Sequence, residues 1–444
     1  MSRKKPAEPL AHASYLRLAI PFIFSTVTQP LLGAVDTAVV GKLANPAFIA
    51  GVSVGAVIFN TLYWLFGFLR VSTTAYSAQA AGMDDECARV DALLRPGVLA
   101  LSIGLVFLLF QVPIFSAAMQ FIQPDAEVVR YSGVYYCILI WGAPVVLLNY
   151  VMLGWLMGQE RLFVSLLMQI GGNVLNIALD ILFVYGYGMD VGGVAAATLI
   201  SQFASFAVGV VAICRHNHMR VLVRRLRLAV SPGVFLSMLR NNADLMLRTV
   251  CVLVQINVFT AAGARFGTEV LSVNAIMYQM MMLVSYTFDG FANASSVFAG
   301  RARGARDAGL LHTTWRMSTT WCGLTALFLF CVCALGFGRI PLLFTDIPGI
   351  LTLFEQYGRW VCAFPLVAWA GVSIYGIFTG TGDTGPVRDS TVFALLLFLA
   401  VVWALVPAWG NHGLWAAFMS FYLGRSIFLA PRYRSTFRKI GGRS

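Results

Sequence analysis

Long apolar runs, each bounded by charged or turn-forming residues, follow one another along nearly the whole chain. Charge-free stretches cover residues 18–35, 43–69, 96–124, 131–159, 162–179, 191–214, 249–264, 270–288, 317–338 and 360–382. Most reach or approach the roughly 20 residues an α-helix needs to cross a bilayer. The last run, Ser390 to Gly424, is too long for one crossing, and the turn-rich segment Pro407-Ala-Trp-Gly-Asn-His-Gly413 divides it in two. The seventh helix is expected to start before Thr249, near Phe235. Its first turns carry Arg240, Asp244 and Arg248 four apart, which reads as an intrahelical salt-bridge ladder. The pattern predicts twelve membrane-spanning helices.

Composition agrees and removes other classes. Of 444 residues, 59% are apolar and 11% charged, with a mean hydropathy of +0.78. A soluble domain has about 45–50% and about 25%, so an ordinary globular enzyme is excluded. No GxxxxGK[ST] or HExxH occurs, and no resident cofactor is expected. Cys331 and Cys333 are two apart, and the eight cysteines have no metal-binding or redox spacing. The net charge of +12 is distributed over loops rather than gathered on a face, which argues for the lipid bilayer and against nucleic acid as partner. With the N-terminus placed in the cytoplasm, 20 arginines and lysines fall in cytoplasmic segments and four (Lys42, Arg130, Arg265, Arg339) on the other side. Positive charge stays on the cytoplasmic side, so both termini are expected there. The first run lacks a small-residue cleavage site and is read as a span.

The chain also repeats itself weakly. The stretch from Phe66 to Gly82 aligns with Phe288 to Gly304 at an offset of 222, and Met157-Gly158 falls on Thr379-Gly380. Gly193-Val-Ala-Ala recurs as Gly413-Leu-Trp-Ala at a similar shift. A repeat of six spans restores orientation and is therefore parallel. The expected architecture is all-α and polytopic: two pseudo-symmetric six-helix lobes around a central cavity. An N-lobe over 1–214 and a C-lobe over 232–444 are joined by the basic linker 215–231. Rocking lobes give a transporter alternating access.

Acids within hydrocarbon are costly, about 2.5–3.5 kcal/mol at a helix centre, so each is a functional candidate. Three occur near or within apolar runs: Asp36, Asp180 and Asp289. Asn173, Asn176 and Asp180 are spaced three and four apart and share one helical face. Two carboxylates in one low-dielectric pocket do not both stay ionised; the pair holds a proton, or a sodium ion with neutral oxygens from Asn176 and Thr198. The repeat places apolar residues opposite both Asp36 and Asp180, so coupling is expected in the N-lobe alone. Asp289 has two readings: a coupling or cargo-binding acid, or an ion-pair partner for Arg70 or Arg248. Tyr63, Trp64, Tyr278, Met281 and Met282 supply aromatic and polarisable surface suited to small apolar or cationic substrates, and core packing is their alternative role.

The segments Pro30-Leu-Leu-Gly-Ala-Val-Asp-Thr-Ala-Val-Val-Gly41, Gly172-Asn-Val-Leu-Asn-Ile-Ala-Leu-Asp180, Asp244-Leu-Met-Leu-Arg248, Phe288-Asp-Gly-Phe291 and Gly410-Asn-His-Gly-Leu-Trp415 carry a resemblance over nearly the whole chain. Together and in this order they resemble the multidrug and toxic compound extrusion (MATE) transporters, most closely a bacterial branch. The resemblance implies secondary antiport of lipophilic, often cationic compounds against protons or sodium, at the bacterial inner membrane, by a monomer. It also implies a cation site built from Asp36, Asn176, Asp180 and Thr198, all of which match the family pattern. Acids that other branches carry on helices seven and ten are missing from the middles of both here, which argues against a C-lobe sodium site. Gly300-Arg301 departs from the Gly-Gln of close relatives. A flippase for lipid-linked precursors, in the same broad superfamily, is the alternative; Arg70 and Arg248 favour it, and the scarcity of other intramembrane arginines opposes it.

Overall fold

The computed structural model describes residues 10–40, 46–215, 225, 232–344 and 347–441, with side-chain placement for all of these except 29–40, 46, 232–238, 240–241, 343 and 439–441. Every regular element among the described residues is helical. The first half of the chain forms α1 (His12–Val40), α2 (Pro46–Leu65), α3 (Phe68–Met83), α4 (Glu86–Leu109), α5 (Gln111–Ile122), α6 (Ala126–Leu139), α7 (Ala143–Gly158), α8 (Leu162–Leu166), α9 (Gly172–Ile181) and α10 (Val191–Cys214). The second half forms α11 (Pro232–Ala264), α12 (Thr268–Ala305), α13 (Ala308–Leu335), α14 (Pro348–Tyr357), α15 (Arg359–Thr381), α16 (Gly385–Trp409), α17 (Asn411–Leu429) and α18 (Tyr433–Gly441).

Several of these are pieces of one membrane crossing. The pairs α2–α3 and α6–α7 each continue through a short break, and α8 and α9 are joined by a wider π-helical turn. Eleven helices of the described residues are long and apolar enough to span a bilayer. The 29-residue α1 makes twelve, and the expected all-α, twelve-span architecture stands. The one apolar run read from 96 to 124 is broken: α4 starts earlier, at Glu86, and stops at Leu109, and α5 is a separate 12-residue helix. The side chain of Asp85, which accepts from the backbone N–H of Cys87 and Ala88, sets the early start.

The internal repeat is written into the backbone. An offset of 222 carries Pro46–Met83 onto Thr268–Ala305 and the N-cap Asp85 onto the N-cap Asp307. It also pairs the left-handed residues that end helices: Asp84 (φ 57°) with Arg306 (φ 54°), Glu160 (56°) with Gly382 (68°), and Gly188 (66°) with Gly410 (54°). Left-handed backbone strains ordinary side chains, so its recurrence at three matched positions marks equivalent turns. Beyond Gly188 the offset falls to 220, because Met189 and Asp190 have no counterpart before Asn411.

The tightest helix packing repeats too. Gly154 and Gly158 of α7 lie on α3, where an added Cβ would stand 2.5 Å from the Arg70 carbonyl oxygen and 2.6 Å from that of Thr74. At the matched positions, Gly376 and Gly380 of α15 press onto the carbonyls of Ala292 and Ser296 in α12. Only small residues allow helices this close, and without a hydrophobic drive between helices in lipid, close backbone approach is a main source of association.

The described residues cluster into two compact units, Thr28–Asn242 and a second that joins the chain up to Val27 with Ala243–Ser444. The lobe boundary read from sequence keeps all of the first helix with residues 1–214; here its leading half clusters with the second unit. The reason is local. Tyr15 Oη and Ser295 Oγ share a 2.8 Å hydrogen bond, Thr26 Oγ1 donates to the Tyr286 carbonyl at 2.7 Å, and Gly290 leaves room for Ile23.

Candidate functional site

The polar stripe of the fifth span forms a site with the sixth. Asp180 is fully buried (0% exposed) and Asn176 nearly so (2%), while Val174 on the other face is 60% exposed. Two π-helical turns, Leu167–Gly171 and Leu182–Gly186, bracket α9 on either side. Such turns release backbone groups from regular pairing and recur at functional sites. Ser205 of α10 takes up one of them, donating to the Met168 carbonyl at 2.9 Å.

Asn176 is the hub. Its Nδ2 donates to Asp180 Oδ2 at 3.1 Å and to Thr198 Oγ1 at 3.4 Å. Thr198 spends its own proton on the Val194 carbonyl at 3.1 Å, so its lone pairs remain to face the amide. Three of the four expected coupling residues are therefore together on α9 and α10. The fourth, Asp36, belongs to α1, and its side chain lies outside the described residues. Asn173 is half-buried on the same helix. A buried carboxylate with an amide N–H and a hydroxyl oxygen close by is a group that can take up a proton or, with neutral oxygens turned toward it, a hard cation.

The matched positions of the second unit hold no such chemistry. Asn176 corresponds to Phe398, Asp180 to Val402 and, at the shorter offset, Thr198 to Phe418. Phe398 and Phe418 are both fully buried among aromatic rings, with Phe398 set against Phe421 at 6.4 Å and Phe418 against Phe259 at 5.1 Å. One half of the repeat is polar where the other is closed by aromatic packing.

The aromatic and methionine positions separate. Tyr63 stacks on Phe59 at 5.6 Å and Trp64 is 44% exposed, both on α2. On α12, Tyr278 packs against the rings of Phe259 and Phe418, Met281 is fully buried in the core of its own unit, and Met282 is half-buried.

The expected ladder on the seventh span gives way to tertiary contacts. Asp244 accepts from Arg388 at 2.8 Å and from Thr384 at 2.9 Å, both near the start of α16. Arg248 instead lies over the ring of Tyr375, 4.5 Å from its centre; the side chain of Arg240 lies outside the described residues. A partner reaching across from α16 meets the carboxylate more directly than a side chain one turn along α11. Sequence reading also passed over Arg425, which follows directly on the charge-free run from Ser390 to Gly424. It is 93% buried, since α17 runs on to Leu429, and its guanidinium stands 5.9 Å from the Tyr422 ring. Asp289, half-buried on α12, interacts electrostatically with Tyr422 and Arg425. The signal available in the sequence was the i, i+3 spacing of Tyr422 and Arg425 within a long apolar run.

Comparison with known proteins agrees with the repeat. The MatE family model matches the chain twice, over residues 21–182 and 245–404. The chain is 34% identical to DNA damage-inducible protein F of Escherichia coli strain K12, over 95% of this chain and 92% of that protein. It is 25% identical to a probable multidrug resistance protein NorM of Photorhabdus laumondii, over 86% and 84%. Among solved structures, a MATE crystal structure in the bent conformation superposes with a TM-score of 0.86 at 22% identity, covering 97% of this chain and 96% of that one. An outward-facing multidrug resistance MATE transporter of the MOP superfamily gives 0.85 at 21%, with the same coverage. A family model that fits both halves of the repeat and a bacterial relative that spans almost the whole length leave one assignment: the chain belongs to the MATE family of multi-pass membrane transporters.

Proposed function

We propose that this chain is a secondary antiporter that exports small lipophilic, often cationic compounds against an inward flow of protons or sodium. We place it at a bacterial inner membrane with both termini in the cytoplasm. The observation that carries the reading is the wholly buried carboxylate of Asp180, held by Asn176 and faced by Thr198 inside a membrane span.

An ion taken up there changes the site's charge at low dielectric, where the change is felt most strongly. Loading neutralises Asp180 and, in this reading, Asp36 of α1, which removes their repulsion and lets α1 move. Cargo is released outward, the protein reorients, and ion loss to the cytoplasm resets it. Sodium would draw on the Asp180 carboxylate and the Thr198 hydroxyl, joined by the Asn176 amide oxygen once the amide, whose Nδ2 faces both groups, turns over. Tyr63 and Trp64 on α2, and separately Tyr278 and Met282 on α12, are aromatic and polarisable residues of the kind that bind a lipophilic cation.

The test is counter-flow in proteoliposomes with an imposed proton or sodium gradient and a fluorescent organic cation. Asp180→Asn and Asp36→Asn should each abolish gradient-driven export while the protein still inserts. Gradient-driven export that persists in both variants refutes the coupling assignment.

A further inference from the structure

The second unit contains a polar centre of the opposite sign. Arg248 on α11, Tyr375 on α15, and Tyr422 and Arg425 on α17 come together with Asp289 of α12, and these five side chains carry two positive charges against one negative. Arg425 is 93% buried, and the Nε of Arg248 is buried without a hydrogen-bond partner. Each guanidinium lies against a tyrosine ring, at 4.5 Å for Arg248 over Tyr375 and 5.9 Å for Arg425 over Tyr422. Stacking on an aromatic face recovers only part of what stripping water from a guanidinium costs, and it leaves the N–H edge unspent.

The fold does not require this cluster. The matched positions in the first half of the repeat are Thr26, Gly67, Leu153, Gln202 and Ser205, and the same helices form there without a charge among them. Nor does surface snorkelling account for Arg425. It sits seven residues, about 10 Å of helix, inside Arg432, which already faces Asp389 in the polar layer at the end of the unit. Within a membrane, an ionised residue facing the protein interior marks a ligand or ion path by default.

We infer that Arg248 and Arg425, oriented by Tyr375 and Tyr422 and tempered by Asp289, form a binding site for a single oxyanion, a carboxylate or phosphate diester, borne on an apolar body. Two planar guanidiniums present fixed donors that match the paired oxygens of such a group. One net positive charge suits a monoanion. The cargo class thus extends from lipophilic cations to amphiphilic anions and zwitterions, a site separate from the Asp180 centre. This rests on the transporter reading for its purpose, and its binding chemistry is tested apart from transport.

The experiment uses the full-length purified protein in phosphatidylcholine nanodiscs, with a dansyl-labelled fatty carboxylate as probe and its uncharged methyl ester as control. The carboxylate should bind at least tenfold tighter than the ester. Arg425→Gln and Arg248→Gln should each erase most of that preference, and Arg425→Lys should retain part of it. Asp289→Asn should tighten carboxylate binding several-fold without changing the ester, a gain that a structural role for the cluster does not produce. Adding phosphatidylglycerol to the nanodisc identifies the source: competition with the probe assigns the site to a lipid headgroup, and no competition assigns it to a free amphiphile. Equal binding of carboxylate and ester, or an unchanged Asp289→Asn, overturns the inference. If proton- or sodium-driven export of an organic cation survives when the same purified protein is reconstituted into proteoliposomes, only this site falls and the coupling reading stands.

Discussion

Asp180 can be altered so that stability and coupling part company. Replacing it by asparagine keeps the volume and still offers an oxygen to Asn176 Nδ2, which now donates at 3.1 Å to a carboxylate. A hydrogen bond to a charged group contributes about 1.5–3 kcal/mol and one to a neutral group about 0.5–1.5, so weakening it costs roughly 1–2 kcal/mol. Against this, an acid at a helix centre in the bilayer costs about 2.5–3.5 kcal/mol to insert, and much of that penalty disappears with the charge. Asp180→Asn should therefore be as stable as the parent or slightly more so. Alanine has a different effect. It leaves a buried amide with only Thr198, whose Oγ1 is 3.4 Å away and at the long end of hydrogen-bonding distance. An orphaned buried donor costs about 1–3 kcal/mol, and a cavity adds to it. Thermal unfolding in detergent, followed by intrinsic fluorescence with and without sodium and at several pH values, gives the ranking. The expected order is Asn at or above the parent, with Ala clearly below, and any dependence on sodium or pH that the parent shows at this site disappears in both. An alanine variant as stable as the asparagine variant would show that the Asn176–Asp180 bond bears no load, and the reasoning would be refuted.

Two further outcomes follow from the helix packing. Gly158→Ala forces a methyl to within 2.6 Å of the Ser77 Cβ and the Thr74 carbonyl and should destabilise by about 1–3 kcal/mol, whereas Gly97→Ala, whose nearest neighbour is Leu148 at 4.0 Å, should stabilise by about 0.5–1 kcal/mol; opposite-signed shifts in unfolding temperature check both. Phe398→Asn, which copies Asn176 into the matched position of the second unit, should cost about 3–5 kcal/mol and create no ion site, because the fully buried ring is replaced by an amide with no carboxylate at Val402 to receive it; unfolding temperature and sodium flux measure the two parts.

The sequence by itself determined the membrane class, the twelve crossings and the parallel repeat. Those follow from one-dimensional quantities: the length of charge-free runs, the penalty for charge in hydrocarbon, and a register of 222 that survives into matched helix ends. It also determined the polar face of the fifth span, because Asn176 and Asp180 are bound to share a side once the segment is helical. Tertiary structure decided which residues on different helices meet. Asp244 chose Arg388 over its own helix neighbours, Arg248 came to rest on Tyr375, and Arg425 was buried rather than left at a helix end. It also decided that the leading half of α1 clusters with Ala243–Ser444 rather than with the helices that follow it. Helical periodicity fixes the direction of a side chain relative to its own axis. What stands in that direction depends on how the axes pack, and here contacts between carbonyls and glycines more than 70 residues apart set that packing.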